Sequence, residues 1–153
     1  MQRKVRKAEA TADDAVKLFD LLVEMHGVTG MTLPAMDQGL SFERIRQGVE
    51  EGVVLVVDGE DTIDGALCII RSNPWWSFEQ QLIDGFFYVR PGARTGGTAK
   101  MLLNSGKEWA KEQGKDLVIS LLTKDNLFMK ECFLAKNGFE RIGSVNVFKL
   151  FRE

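Results

Sequence analysis

The sequence is poor in the residues that most readily announce a chemistry. Its 153 residues include one histidine, His26, and one tyrosine, Tyr88. The two cysteines, Cys68 and Cys132, both sit in apolar runs. They read as reduced core residues, which implies a cytoplasmic setting. An excess of one charge is also missing: 20 Lys and Arg stand against 22 Asp and Glu, for a net charge of −2. That excludes a nucleic-acid footprint and a strongly polarised partner. No apolar run approaches the roughly 20 residues of a membrane span. The start, Met1-Gln2-Arg3-Lys4, is basic, but no apolar signal region follows it. There is no internal repeat and no low-complexity tract. What remains is an ordinary globular composition, expected to form a single domain over residues 1–153. No metal site is expected.

The informative stretch is residues 84–114. Residues 82–89 read as a strand, and Phe86-Phe87-Tyr88-Val89 is bulky on both alternating faces, as suits a strand covered on both sides. Pro91 ends its pairing, because proline has no N–H to donate. From Ala99 the spacing turns helical: Ala99, Leu102, Leu103, Gly106, Trp109 and Ala110 share one face. Gly114 supplies the stop. Between strand and helix lies Arg94-Thr95-Gly96-Gly97-Thr98-Ala99. A helix start carries N–H groups without helical partners and a partial positive charge. Small residues there let a phosphate approach, and Arg94 stands by as a charged clamp. The alternative is a glycine-rich turn with no ligand.

Two phosphate motifs are absent. A P-loop needs Gly-Lys-Ser/Thr at its end, but Thr98 and Ala99 follow Gly97. A dinucleotide fingerprint needs Gly-x-Gly-x-x-Gly, and Gly96 and Gly97 are adjacent. What fits is Arg/Gln-x-x-Gly-x-Gly/Ala, as Arg94-x-x-Gly97-x-Ala99. After a strand ending in Tyr-Val-x-Pro, this resembles the acyl-coenzyme A signature of the GNAT N-acetyltransferase superfamily. Phe133-Leu134-Ala135-Lys136-Asn137-Gly138-Phe139 is similar to a second segment of that family.

The remaining elements follow in order. Residues 5–10 read as a first strand, and Thr11 as the N-cap of a helix running to about His26. Residues 26–40 read as a loop, yet they carry Met31, Leu33, Met36 and Leu40. Residues 41–51 form a second helix, and residues 53–57 and 62–70 a hairpin. Trp75 and Trp76 lie in the next turn; adjacent residues cannot share one strand face, so at least one is expected to be partly exposed, lining a site or a dimer contact, or else lying as a lid on the core. Residues 116–123 are read as a parallel strand, a helix starts at Lys124-Asp125-Asn126, and residues 139–151 as a last strand. The expected fold is α+β: a central mixed sheet flanked by about four helices. The order resembles the GNAT fold over the full length.

The resemblance implies transfer of an acetyl group from acetyl-CoA to a primary amine of an unidentified acceptor, a small molecule or a protein. It implies that Thr95, Gly96, Gly97, Thr98 and Ala99 meet the diphosphate, with Arg94 beside them. It further implies that the strands ending at Val89 and Thr123 splay apart around the pantetheine arm, and that a backbone N–H near Tyr88 or Val89 faces the thioester oxygen. Residues 26–40 would form part of the acceptor lip. Asp84 interrupts an apolar strand and is the candidate base; Gly85 beside it marks a bulge or a close approach. His26 is the alternative base. Where many members carry a tyrosine, this chain has Leu134, which leaves Tyr88 or water to supply a proton. Asn126 is a further binding candidate. Two other readings stay open: a catalytically silent acyl-CoA-binding or interaction domain, and an α+β domain with no cofactor.

Overall fold

The structure is a computed structural model and describes residues 3–30 and 34–150. The described residues form two compact units, 3–28 with 34–120, and 29–30 with 121–150.

In the first unit, β1 (Val5–Lys7) leads into α1 (Ala12–Val28). Thr11 caps that helix, its Oγ1 accepting from the Asp14 N–H at 3.2 Å. The helix α2 (Gln38–Glu51) follows, with Asp37 as its N-cap accepting from the Leu40 N–H at 2.8 Å. The interval read as a loop over 26–40 is therefore shorter at both ends. The methionine-rich lip falls partly within it: Met31 and Leu33 lie outside the described residues, Met36 is half-buried and Leu40 exposed.

The sheet runs β2 (Val53–Asp58), β3 (Ile63–Ser72), β4 (Gln81–Val89) and β5 (Leu117–Val118), with β1 at the other edge, in the order β1-β2-β3-β4-β5. The first four strands pair antiparallel and β4 pairs β5 parallel, so the sheet is mixed. The crossover from β4 to β5 is α3 (Thr98–Gln113). Side chains alternate along β4: Phe87 and Val89 join the cluster that α3 covers with Leu102, Trp109 and Ala110. Phe86 and Tyr88 join the cluster that α1 and α2 cover with Leu18, Leu21 and Ile45. Tyr88 and Val89 are buried and Phe86 and Phe87 half-buried, so the strand is covered on both faces, most fully at its C-terminal end.

Two expectations are revised here. The apolar run over 116–123 pairs with β4 only at Leu117 and Val118. And Trp75 and Trp76 are no lid on the core, because both stand in solvent.

The second unit holds α4 (Leu127–Lys136), whose Asn137 N–H bonds back to Phe133 and Leu134. The last strand expected over 139–151 is not formed within 139–150, and Phe151 lies outside the described residues. Ile142, Val145, Val147, Phe148 and Leu150 are all exposed there. Cys132 is only half-buried; Cys68, in the first unit, is buried, and both are free thiols.

Candidate active site

The site is built where β4 loses its neighbour. Leu82 pairs with Leu117 and Ile83 with Val118, and the ladder stops. At the next residue Asp84 takes over: its Oδ1 accepts from the Ser120 N–H at 2.8 Å, where a backbone carbonyl would otherwise sit. A side chain thus ends the pairing, and beyond it residues 84–89 of β4 have no strand partner on that side among the described residues. On that side the amides and carbonyls of residues 84–88 carry no ladder bond to a described strand, the pattern that an amide-bearing chain would complete, while the Val89 carbonyl accepts from Arg94 Nε.

The opposite side of β4 is irregular at the same place. Cys68 pairs with Phe86 and Ile69 with Asp84, so Gly85 is an extra residue, a β-bulge. A Cβ on Gly85 would stand 3.0 Å from the Cys68 sulfur. The bulge sets Asp84 at the fork between β4 and β5. Burial there pushes the Asp84 carboxyl up to about 6, although the Ser120 N–H pulls it down. The same burial, with the Asp84 charge nearby, pushes the Cys68 thiol up to about 12 and keeps it inert.

At the far end of β4 the chain passes through a short 3-10 turn, Pro91–Gly96, into α3. Gly97 joins the two with φ +74°, in the left-handed region where side chains strain the backbone. The N–H groups of Thr98, Ala99 and Lys100 open α3 and lack helical partners by geometry. A Cβ built on Gly92, Gly96 or Gly97 would meet nothing within 4 Å, so the approach to those amides is clear. Thr95, Gly96 and Gly97 are exposed.

Thr98 turns its side chain inward. It is wholly buried, and its hydroxyl accepts from Arg3 Nη1 at 3.3 Å. Arg3 also pairs with Asp64 at 3.3 Å. Only the Thr98 main chain is left to face a ligand. Arg94 lies back along the strand: its Nε donates to the Val89 carbonyl at 2.9 Å, and its guanidinium sits 5.6 Å from the centre of the Tyr88 ring.

Tyr88 belongs to a polar cluster that the sequence did not disclose. Its hydroxyl is buried without a hydrogen-bond partner among the described residues, and so is Glu24 Oε2. Burial first, and then the Glu24 carboxylate, push the Tyr88 phenol up to about 12. The two groups are near enough to interact but are not in hydrogen-bonding geometry. Glu24 Oε1 pairs with Arg90 Nη1 at 3.0 Å, and Arg90 Nε donates to the Ile63 carbonyl at 3.1 Å. Nothing in the sequence separates Glu24 from the other acidic residues of α1.

His26 lies in the last turns of α1, with Nε2 2.9 Å from the Pro34 carbonyl. Asn126 belongs to the second unit, where it precedes α4 with φ +51° and touches Asp125 at 3.4 Å. Leu134, in the same unit, is buried in place of the expected phenol.

The model of the acetyltransferase (GNAT) family matches residues 17–139. Among solved structures, a predicted acetyltransferase from Clostridium acetobutylicum, solved with acetyl-CoA, is similar at 17% identity. It covers 97% of this chain and 97% of its own, with a TM-score of 0.73. An acetyltransferase of Trypanosoma brucei is similar at 17% identity and TM-score 0.70, over 97% of this chain and 100% of that one. The aminoglycoside 6'-N-acetyltransferase AAC(6')-Ih of Acinetobacter baumannii is similar at 15% identity and TM-score 0.66, over 99% and 100%. No curated protein matches.

Proposed function

Because the chain belongs to the acetyltransferase (GNAT) family, whose model spans residues 17–139, we propose that it moves an acetyl group from acetyl-CoA to a primary amine. The family match enters both compact units, so the reading treats residues 1–153 as one acetyltransferase domain. Acetyl-CoA supplies the activated thioester, and the chain supplies position, charge and a place for the proton.

The observation that carries the reading is the unpaired edge of β4 beyond Ile83, with Asp84 at the fork. In this reading the open backbone of residues 84–89 takes the amides of the pantetheine arm. The amides of 95–99 take the diphosphate, with Arg94 swinging from the Tyr88 ring to join them. A main-chain N–H near Tyr88 or Val89 faces the thioester oxygen, where negative charge grows.

Asp84 serves as the base. A carboxyl near 6 is ionised at neutral pH yet basic enough to take a proton from the attacking ammonium, directly or through water. Tyr88 holds its proton at neutral pH, as a donor to the departing sulfur must. A thiolate is a weak base and also leaves without help.

The acceptor is a primary amine. The neighbours include aminoglycoside acetyltransferases, which supports a small cationic amine as the first acceptor class to assay. A second reading, a domain that binds acyl-CoA without turning it over, draws on Leu134. One experiment separates the two: release of free CoA from acetyl-CoA with a panel of amines, for wild type and Asp84→Asn. Turnover that falls about a hundredfold or more in the variant, with CoA affinity kept, supports the transferase. Binding without turnover on every amine supports the silent domain.

A further inference from the structure

The turn between β3 and β4 presents three large aromatic side chains to solvent. Trp75, Trp76 and Phe78 are 102%, 87% and 103% exposed. Scattered apolar residues on a surface are ordinary, but three large rings within four positions are not. Nor are they there for want of structure. Asn73 Nδ2 donates to the Phe78 carbonyl at 2.9 Å, Ser77 N–H to the Pro74 carbonyl at 3.3 Å, and Glu79 N–H to Ser77 Oγ at 3.0 Å. The turn is tied to itself, so its backbone is set before anything covers the rings. That is the condition under which aromatic anchors bind best.

Charge narrows the choice of cover. Between Arg71 and Leu82 the only other charged side chain is Glu79. Arg71 is engaged elsewhere, hydrogen-bonded to Gln113 and lying 5.6 Å over the Trp109 ring. An anionic lipid surface or a nucleic acid would meet a lone carboxylate and no free cation. Area points to a second copy. Each large ring buries about 150–250 Å², so the turn offers roughly 600 Å² per chain, and a two-fold pair of turns about 1,200 Å², the lower bound of a specific interface.

We propose that this turn is a self-association surface, on which two copies of the chain pack Trp75, Trp76 and Phe78 against each other about a two-fold axis. The placement is compatible with the active-site reading without depending on it. The turn enters β4 at Gln81 and the phosphate turn leaves it after Val89, eight residues on. At about 3.3 Å per residue that is roughly 26 Å, so a pair joined here leaves the phosphate turns away from the contact.

Sedimentation velocity of the full chain, from low to high micromolar, tests this. Wild type is expected to sediment as twice the chain mass. Trp75→Ser/Trp76→Ser/Phe78→Ser should sediment as a single chain, its dimer dissociation constant raised about a hundredfold or more. The replaced rings touch only solvent, so the variant's circular dichroism and melting should match those of single wild-type chains. A control variant, Val147→Ser/Phe148→Ser, alters a second exposed apolar stretch and should leave the dimer intact. The proposal is overturned by a wild type that stays single throughout. It is equally overturned by a turn variant that still pairs, or by pairing lost only in the control. Co-sedimentation of single wild-type chains with phosphatidylcholine vesicles would assign the rings to a lipid interface instead.

Discussion

At the scale of single residues, the proposed function rests on Asp84 as the base. Transfer by the wild type should rise with pH through about 6 and then level off, the limb reporting one proton. Asp84→Asn should remove that limb. A pH–rate profile of kcat/KM for both proteins checks it; the same limb in the variant would take Asp84 out of the reaction. The same group also acts on stability. Its folded value of about 6 lies above the ordinary 3.8, so between these the folded chain holds more protons than the unfolded one. Stability from this group therefore falls as pH rises through that window. Asp84→Asn should melt higher than wild type at pH 7 and no higher at pH 3, a signature of a charge held in place for function. Tyr88→Phe makes a second test. It removes a buried hydroxyl that has no partner, so it should hold stability level or raise it by about 1 kcal/mol. A loss of more than about 1 kcal/mol would mean that the hydroxyl is satisfied in solution, by water or by Glu24.

At the scale of elements, two contacts fix what the site needs. α3 lies close on the sheet because Gly106 has no side chain: a Cβ there would stand 2.8 Å from Leu67 Cδ2. Gly106→Ala gains about 1 kcal/mol of helix propensity but overpacks the buried Leu67 by about 1–3 kcal/mol, so it should cost up to about 2 kcal/mol net and weaken CoA binding as α3 shifts, changes that melting and titration read together. At the sheet's far edge, Arg6 on β1 binds Asp14 on α1 at 2.8 Å and Asp58 on β2 at 2.6 Å. Arg6 holds the Asp14 carboxyl below its ordinary value, so its stabilisation is present at neutral pH and lost as pH falls through the acid range. Asp14→Ala should cost about 2 kcal/mol at pH 7, since it also strips an acceptor from the Glu9 N–H, and the cost should shrink on acidification.

The elements also show what a sequence can tell. The course from β4 through the glycine turn to α3 was legible, because alternation, a proline stop and helical spacing are local signals. Gly85 beside Asp84 signalled a bulge or a close approach, and the register shift shows the bulge. The length of β5 was not: an apolar run over 116–123 reports burial, whereas pairing ends where Asp84 replaces a backbone partner 36 residues away in sequence. The start of α2 was readable in principle from Asp37, an N-cap residue that the loop's glycines and proline masked. The exposure of Trp75 and Trp76 was half legible: adjacency keeps the two off one face, so one was expected in solvent, but that both are is set by other parts of the chain. Glu24 beside Tyr88 was equally hidden, being a tertiary contact between α1 and β4.

At the scale of the whole molecule, the proposed function makes the start of α3 and the unpaired stretch of β4 one device: main-chain amides of residues 95–99 would hold the diphosphate, and residues 84–89 the arm that follows it. Gly96 is the better place to disturb it than Gly97. At Gly97 the left-handed φ of +74° adds strain of about 1–2 kcal/mol to any side chain, whereas Gly96 opens onto free space. Gly96→Glu should therefore keep its melting temperature and lose CoA. The deciding measurement is an amide-resolved NMR titration of the full chain with CoA. The largest shifts should fall on the N–H groups of residues 95–100 and 84–89, and Gly96→Glu should show none of them at the same CoA concentration. Shifts confined to other residues, or an unchanged titration in Gly96→Glu, would contradict it.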